Sequence, residues 1–181
     1  MNIRRAEHSD IESMLRIFAH AREFMASYGN DSQWGGDYPS RELIQHDIAE
    51  GNAFVVENDG GVVCATFCHI IGNDATYQTI EGEWLNDNPY GTIHRIASDG
   101  TMQGVFRYVL RWALLRCPNL RIDTHKDNLP MLHLLDKEGF THCGVIYCHN
   151  GTPREAFQKE TVYEDFSFGI CLAREILIYA K

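Results

Sequence analysis

Residues 53–71 read AFVVENDGGVVCATFCHII, two apolar runs rich in Val, Ile and Phe on either side of an Asp-Gly turn. Asp-Gly between such runs is a strong short-range signal for an antiparallel hairpin, so any fold for this chain must contain that strand pair. The flanking patterns narrow the choice further. NIRRAEH at 2–8 is a short strand, and Ser9 then caps a helix whose Ile11, Met14, Leu15 and Phe18 recur at helical spacing. Ser40 caps a second helix, RELIQHDIAEG, that ends at Gly51. After an irregular aromatic loop over 72–91, TIHRIAS resumes as a strand, and a third helix places Val105, Tyr108, Val109, Trp112 and Ala113 on one face before Pro118 stops it. NLRIDTH is the next strand, and residues 128–138 form a fourth helix with Met131, Leu134 and Leu135 inward. FTHCGVIYC and REAFQKET close as strands around the turn HNGTP.

Strands alternating with helices in the middle and hairpins at either end predict an α/β (α+β) architecture in one domain: a mixed, mostly antiparallel central sheet of about seven strands with helices on both faces. A length of 181 residues fits one such domain. Sixteen Lys and Arg against 25 Asp and Glu leave a formal charge of -9 with no basic run, so a nucleic-acid backbone has no electrostatic footprint here. That charge either draws cationic amines or serves only solubility. The amino terminus lacks the apolar core of a signal peptide, and no apolar stretch approaches the roughly 20 residues that span a bilayer, so the expectation is a cytoplasmic protein with no membrane contact. Cysteines at 64, 68, 117, 143, 148 and 171 form no C-x-x-C pair and read as reduced core thiols, with no metal site.

The element order, together with the strand, Asp-Asn turn and helix in RIDTHKDNLPMLHLLDKEGF, resembles the GNAT acyltransferase superfamily over residues 1–160. The remainder, 161–181, reads as an extension that packs either on the domain or on a partner subunit in a homodimer. The resemblance implies acetyl-CoA as cofactor, with its pyrophosphate at the start of the third helix, at Gln103, Gly104, Val105, Phe106 and Arg107. Unpaired amides and the helix dipole make such a terminus a natural anion site. The family loop, Q/R-x-x-G-x-G/A, aligns here with Gly104 at its first glycine, Thr101 at the Gln/Arg position and Phe106 at the last small position, which predicts a narrowed cradle. Asn128 matches the family asparagine that reaches the pantetheine, a role compatible with capping the fourth helix. Met131 lies on the same helix, and Lys137 near its end reaches either the phosphates or solvent. The backbone at Ile96 or Ala97 would bind the thioester carbonyl.

Acyl transfer to an amine needs a base, donors for the developing oxyanion, and a proton for the thiolate. The tyrosine that many GNAT enzymes place four residues before the Gly-Phe of the fourth helix is Leu135 here. Tyr147, His125 or water then supplies the proton, or the thiolate leaves unprotonated. An imidazole with its ordinary pKa of about 6.5 suits proton removal near neutrality, so His94 and His125 are base candidates, with Glu83 or a water relay as alternatives. Gln33, Trp34, Tyr38, Tyr77, Trp84 and Tyr90 are candidates to line the pocket of a small-molecule amine, where aromatic faces hold an ammonium group; core packing is the other reading of these aromatics. Two functions follow from the resemblance: an acetyl-CoA-dependent N-acetyltransferase, or a non-catalytic CoA-binding module.

Overall fold

In the computed structural model, which describes residues 1–161, the hairpin forms where the sequence places it. Strand β1 (Asn2–Arg5) pairs antiparallel with β2 (Ala53–Glu57), and β2 pairs antiparallel with β3 (Val63–Ile71). Side chains alternate across these strands: Val55 and Cys68 face helices α1 (Ile11–Ser27) and α2 (Arg41–Ala49), while Val56 and Phe67 face α3 (Val105–Leu114) and α4 (Leu129–Lys137). This period of two leaves a core on each side of the sheet. Ser40 caps α2 as expected, its hydroxyl accepting the Leu43 N–H. Ser9 does not cap α1. It sits inside a 3-10 turn, His8–Asp10, and the buried Asp10 accepts the Glu7 N–H at 2.8 Å while pairing with Arg4. That ion pair holds the Asp10 carboxyl below its usual range.

The sheet has eight strands, in the order β1-β2-β3-β5-β6-β8-β7-β4. The strand beyond the expected seven is β4 (Glu81–Gly82), which pairs with β7 (Thr141–Tyr147) where Gly82 lies opposite Gly144. A side chain at either glycine would strike the other strand's backbone, so two residues suffice for close pairing but leave no run for sequence periodicity to detect. Strand β5 (Gly91–Ser98) is antiparallel to β3, and β6 (Asn119–Thr124) and β8 (Pro153–Glu160) continue the sheet toward β7. Cys64, Cys68, Cys117 and Cys143 are buried free thiols, as expected; Cys148 is half-buried, and Cys171 lies outside the described residues along with most of the extension at 161–181. Among the described residues no helix is long and apolar enough to cross a membrane.

His69, on β3, is buried against Trp112 with its Nε2 unpartnered. Burial first, and then the charge of Arg116, push its pKa down to about 4. The unfolded chain therefore binds a proton that the fold refuses between about pH 6.5 and pH 4, so stability present above pH 6.5 is lost as pH falls through that window. Urea titrations at pH 7 and pH 4.5 should show a fall that is roughly 2–3 kcal/mol larger in the wild type than in His69→Phe. Equal falls in the two proteins would contradict the assignment.

Candidate active site

Strands β5 and β6 run parallel and pair only at Gly91 with Leu120 and Thr92 with Arg121. Beyond that point they part, so the β5 edge from Ile93 to Ser98, which includes Ile96 and Ala97, carries backbone groups with no strand opposite. The cause lies in β5 itself. Its pairing with β3 slips between Thr66 and Cys68, so Arg95 and Ile96 bulge opposite a single residue, and Arg95 takes a left-handed φ of 52°. A bulge bends its strand, and a non-glycine residue in this conformation persists only when its surroundings hold it. Here the Arg95 guanidinium is clamped by both oxygens of Asp47 at 2.8 Å and reaches the Cys68 sulfur at 3.3 Å. Burial pushes the Cys68 thiol up to about 12, which makes it an inert packing group.

On the α3 side of the split, Gly104 is the N-cap, with φ 75° and no side-chain hydrogen bond, so the amides of Val105, Phe106 and Arg107 open the helix uncapped. Glycine is required there by conformation, because a side chain would meet nothing within 4 Å. The expected narrowing by Phe106 does not occur: its ring is 7% exposed and packs into the core, leaving only its amide at the helix end. Gln103 is exposed, and Arg107 pairs with Glu138 at 2.7 Å, tying the start of α3 to the end of α4, where Lys137 faces solvent. Asn128 caps α4 by accepting the Met131 N–H, and its amide nitrogen donates to Gln33 at 3.0 Å. Met131 is half-buried against the core. Leu135 is fully buried, so a tyrosine there would be forced into packed core and would not reach the split.

The opposite face carries the titratable groups. His94, on β5, has Nε2 2.7 Å from Asp74 Oδ2 and Nδ1 3.8 Å from Asp123 Oδ1. Asp74 comes from the aromatic loop, where its other oxygen accepts the Thr76 N–H and its own N–H donates to the Tyr90 hydroxyl. The His94 bond, then the Thr76 bond, hold the Asp74 carboxyl far below its usual range. Asp123 accepts the hydroxyl of Tyr77 at 2.7 Å. In the neutral imidazole, assigned from this network, Nε2–H donates to Asp74, so the Nδ1 lone pair and the Asp123 carboxylate face one gap as two acceptors. An N–H donor placed between them satisfies both.

The structure does not bring all the expected site residues to this point. His125 is buried in the turn before α4, where its Nδ1 accepts the Asp127 N–H at 3.3 Å, so that nitrogen is committed. Glu83 is exposed, its N–H bound to the Cys143 carbonyl beside β4. Tyr147 is 44% exposed and donates to Glu81 at 2.9 Å, a carboxylate that raises the phenol's pKa and weakens it as an acid. Tyr77 and Tyr90 are buried, contrary to their expected place on a pocket wall. Trp84 and Tyr90 flank a cation of the protein's own, with Tyr77 packed beside both rings: the Arg121 guanidinium lies 4.1 Å from the Trp84 ring and 4.0 Å from that of Tyr90. The cation–π expectation thus holds for the residue types but not for the ligand. Trp34 packs edge-on to Phe18 at 5.7 Å, Tyr38 is partly exposed above it, and Gln33 bridges this loop to Asn128. A shallow depression of about 270 Å³ beside the loop is lined by Arg22, Asn30 and Trp34 but not by His94, Asp74 or Asp123, so it is separate from that cluster.

Neither a family model nor a curated protein matches the sequence. Solved structures do. A GNAT-family acetyltransferase from Streptococcus agalactiae is 34% identical, with a TM-score of 0.78 over 89% of this chain and 95% of its own. One from Listeria monocytogenes is 17% identical, with a TM-score of 0.65 over 88% and 94%. A phosphinothricin acetyltransferase from Sinorhizobium meliloti, solved in complex with acetyl-CoA, is 14% identical, with a TM-score of 0.58 over 90% and 89%. The last two share the fold, at identities too low to carry residue roles.

Proposed function

Since the chain belongs to the GNAT family of acetyltransferases, we propose that it moves an acetyl group from acetyl-CoA to the amine of a small molecule by direct attack, with His94 as the base. The observation that carries this reading is the His94 ring, held at Nε2 by Asp74 while Nδ1 opens on the gap shared with Asp123. The residues around the split fit acetyl-CoA. The uncapped amides at 103–107 suit its pyrophosphate, the unpaired β5 edge suits its amide-bearing arm, and Asn128 and Met131 lie at the start of α4, which follows β6, the other strand of the split. When bound, acetyl-CoA supplies an activated thioester carbonyl.

The chain's own residues do the rest. Asp123 attracts the ammonium form of the acceptor, and His94 Nδ1 takes one of its protons, which frees the nitrogen lone pair for attack on the carbonyl carbon. Asp74 fixes the tautomer and stabilises the imidazolium, as a carboxylate does behind any histidine base. A backbone N–H at Ile96 or Ala97 donates to the carbonyl oxygen as charge builds there. With the C–N bond formed and the C–S bond broken, the nitrogen's second proton would pass to water, and the sulfur would take the proton held on His94 or one from water, or depart as thiolate, since a thiol with a pKa of about 8.5 is a tolerable leaving group. Neither Tyr147, engaged with Glu81, nor the interior Leu135 is needed.

The reading as a non-catalytic CoA-binding module drew on Phe106 and Leu135, and the inward turn of the Phe106 ring leaves it only the second. A thiol-release assay separates the two functions. With acetyl-CoA present, free thiol should appear in step with added primary amine and with acetylated product. Cofactor binding without amine-dependent release would support the non-catalytic module.

A further inference from the structure

Arg154 is the second residue of β8 and is only 8% exposed, yet among the described residues it has no carboxylate within salt-bridge distance. Its protein partners are two backbone carbonyls: Pro153 O at 3.1 Å from NH1 and Gln33 O at 3.3 Å from NH2. Its Nε–H has no partner in the described chain and is not sealed from solvent. Buried cations are normally neutralised at close range, and a guanidinium is a rigid fork shaped for a planar anion.

The position of Arg154 says where that anion belongs. Asp123 pairs across β6 and β8 with Ala156, so Arg154, two residues along, shares its face of the sheet as a diagonal neighbour roughly 7–8 Å away. Neither aspartate serves Arg154 directly: Asp74 is bound to His94 and Thr76, and Asp123 to Tyr77. The Gln33 side chain, whose carbonyl meets Arg154, accepts from both Asn128 and Asn30. The cation is therefore held by the Gln33 loop, which also reaches the cap of α4.

We infer that the acceptor is an amino acid, its carboxylate received by the Arg154 N–H donors that have no acceptor among the described residues, while its amine lies between His94 and Asp123. The assignment rests on the transferase reading above and extends it to a substrate class. An acceptor with both charges also reconciles the acidic amine site with a buried arginine on the same face of the sheet.

The test compares an amino acid with its own carboxamide, which keeps shape and amine and loses only the anion. At fixed acetyl-CoA, wild-type kcat/KM should favour the acid by about 10²-fold or more, since a site built for a polar group rejects the analogue that leaves it unpaired. Arg154→Gln should lower the rate on the acid by about 10²-fold and the rate on the carboxamide far less, so the preference collapses. Arg154→Lys, which keeps charge and bulk but not the fork, should retain part of it and stands in if the Gln variant fails to fold. A wild-type enzyme that prefers the carboxamide, or an Arg154→Gln enzyme that loses both activities equally, would overturn the assignment. Absence of thiol release with any amine, despite acetyl-CoA binding, would instead strike the transferase reading itself and the assignment with it.

Discussion

His94→Gln should lower turnover by about 10²-fold or more and leave acetyl-CoA affinity nearly unchanged. Glutamine keeps a donor for Asp74 in about the same place but has no nitrogen that accepts a proton at the acceptor gap. The pH profile carries a second signature. A wild-type imidazole base is lost to protonation as pH falls, which gives an acidic limb, and the variant should lack that limb. On the proposed reading the cofactor would be held mainly by backbone groups of β5 and α3, so its dissociation constant separates chemistry from structure. Loss of cofactor binding along with turnover would make His94 a structural residue. Turnover within an order of magnitude of wild type, with the acidic limb intact, would pass the role to an ordered water.

The second large effect is on stability. Asp47→Ala should cost about 3–5 kcal/mol, because it strands the Arg95 guanidinium in the interior. Both Asp47 oxygens sit 2.8 Å from the same Arg95 nitrogen, and Arg95 Nε is already buried without a partner. No other carboxylate of the described residues lies within 4.0 Å of Arg95 to take over. The left-handed conformation of Arg95 depends on that clamp, so the loss should reach the bulge and the split as well as the free energy. Urea unfolding measures it directly. A change below about 1 kcal/mol would mean that solvent already screens the pair and that the bulge is held by something else.

Local patterns made most of the scaffold legible. The Asp-Gly hairpin, the Ser40 cap, the apolar face of α3 and the Asn128 cap depend on residues a few positions apart, and each forms as the sequence predicts. What escaped depends on distant partners. Strand β4 is two residues long and exists because Gly82 meets Gly144. The first helix begins after a turn because Arg4 reaches Asp10. Nothing in TIHRIAS marks Arg95 as the bulge beside the split.

The candidate site divides in the same way. His94 was legible as an imidazole on the right strand, but Asp74 was not, although its Asp-Ala-Thr sequence suits the Asx turn that presents it. The aromatic loop was read as a pocket wall because tyrosine and tryptophan suit both surfaces and cores. The deciding fact was Arg121, which sits between Trp84 and Tyr90 and takes the place assigned to a ligand. Arg154 left no mark at all, since a strand arginine followed by glutamate looks like an ordinary solvated pair until the Gln33 loop is seen over it.

The most direct test of the account is a crystal structure of the protein with acetyl-CoA. The account predicts the pyrophosphate against the amides of residues 103–107, and the thioester carbonyl oxygen about 2.7–3.1 Å from a β5 backbone N–H at Ile96 or Ala97, with His94 Nδ1 open on the side from which an amine would approach. A cofactor whose acetyl group lies away from the β5 edge, or whose pyrophosphate avoids the start of α3, would contradict it.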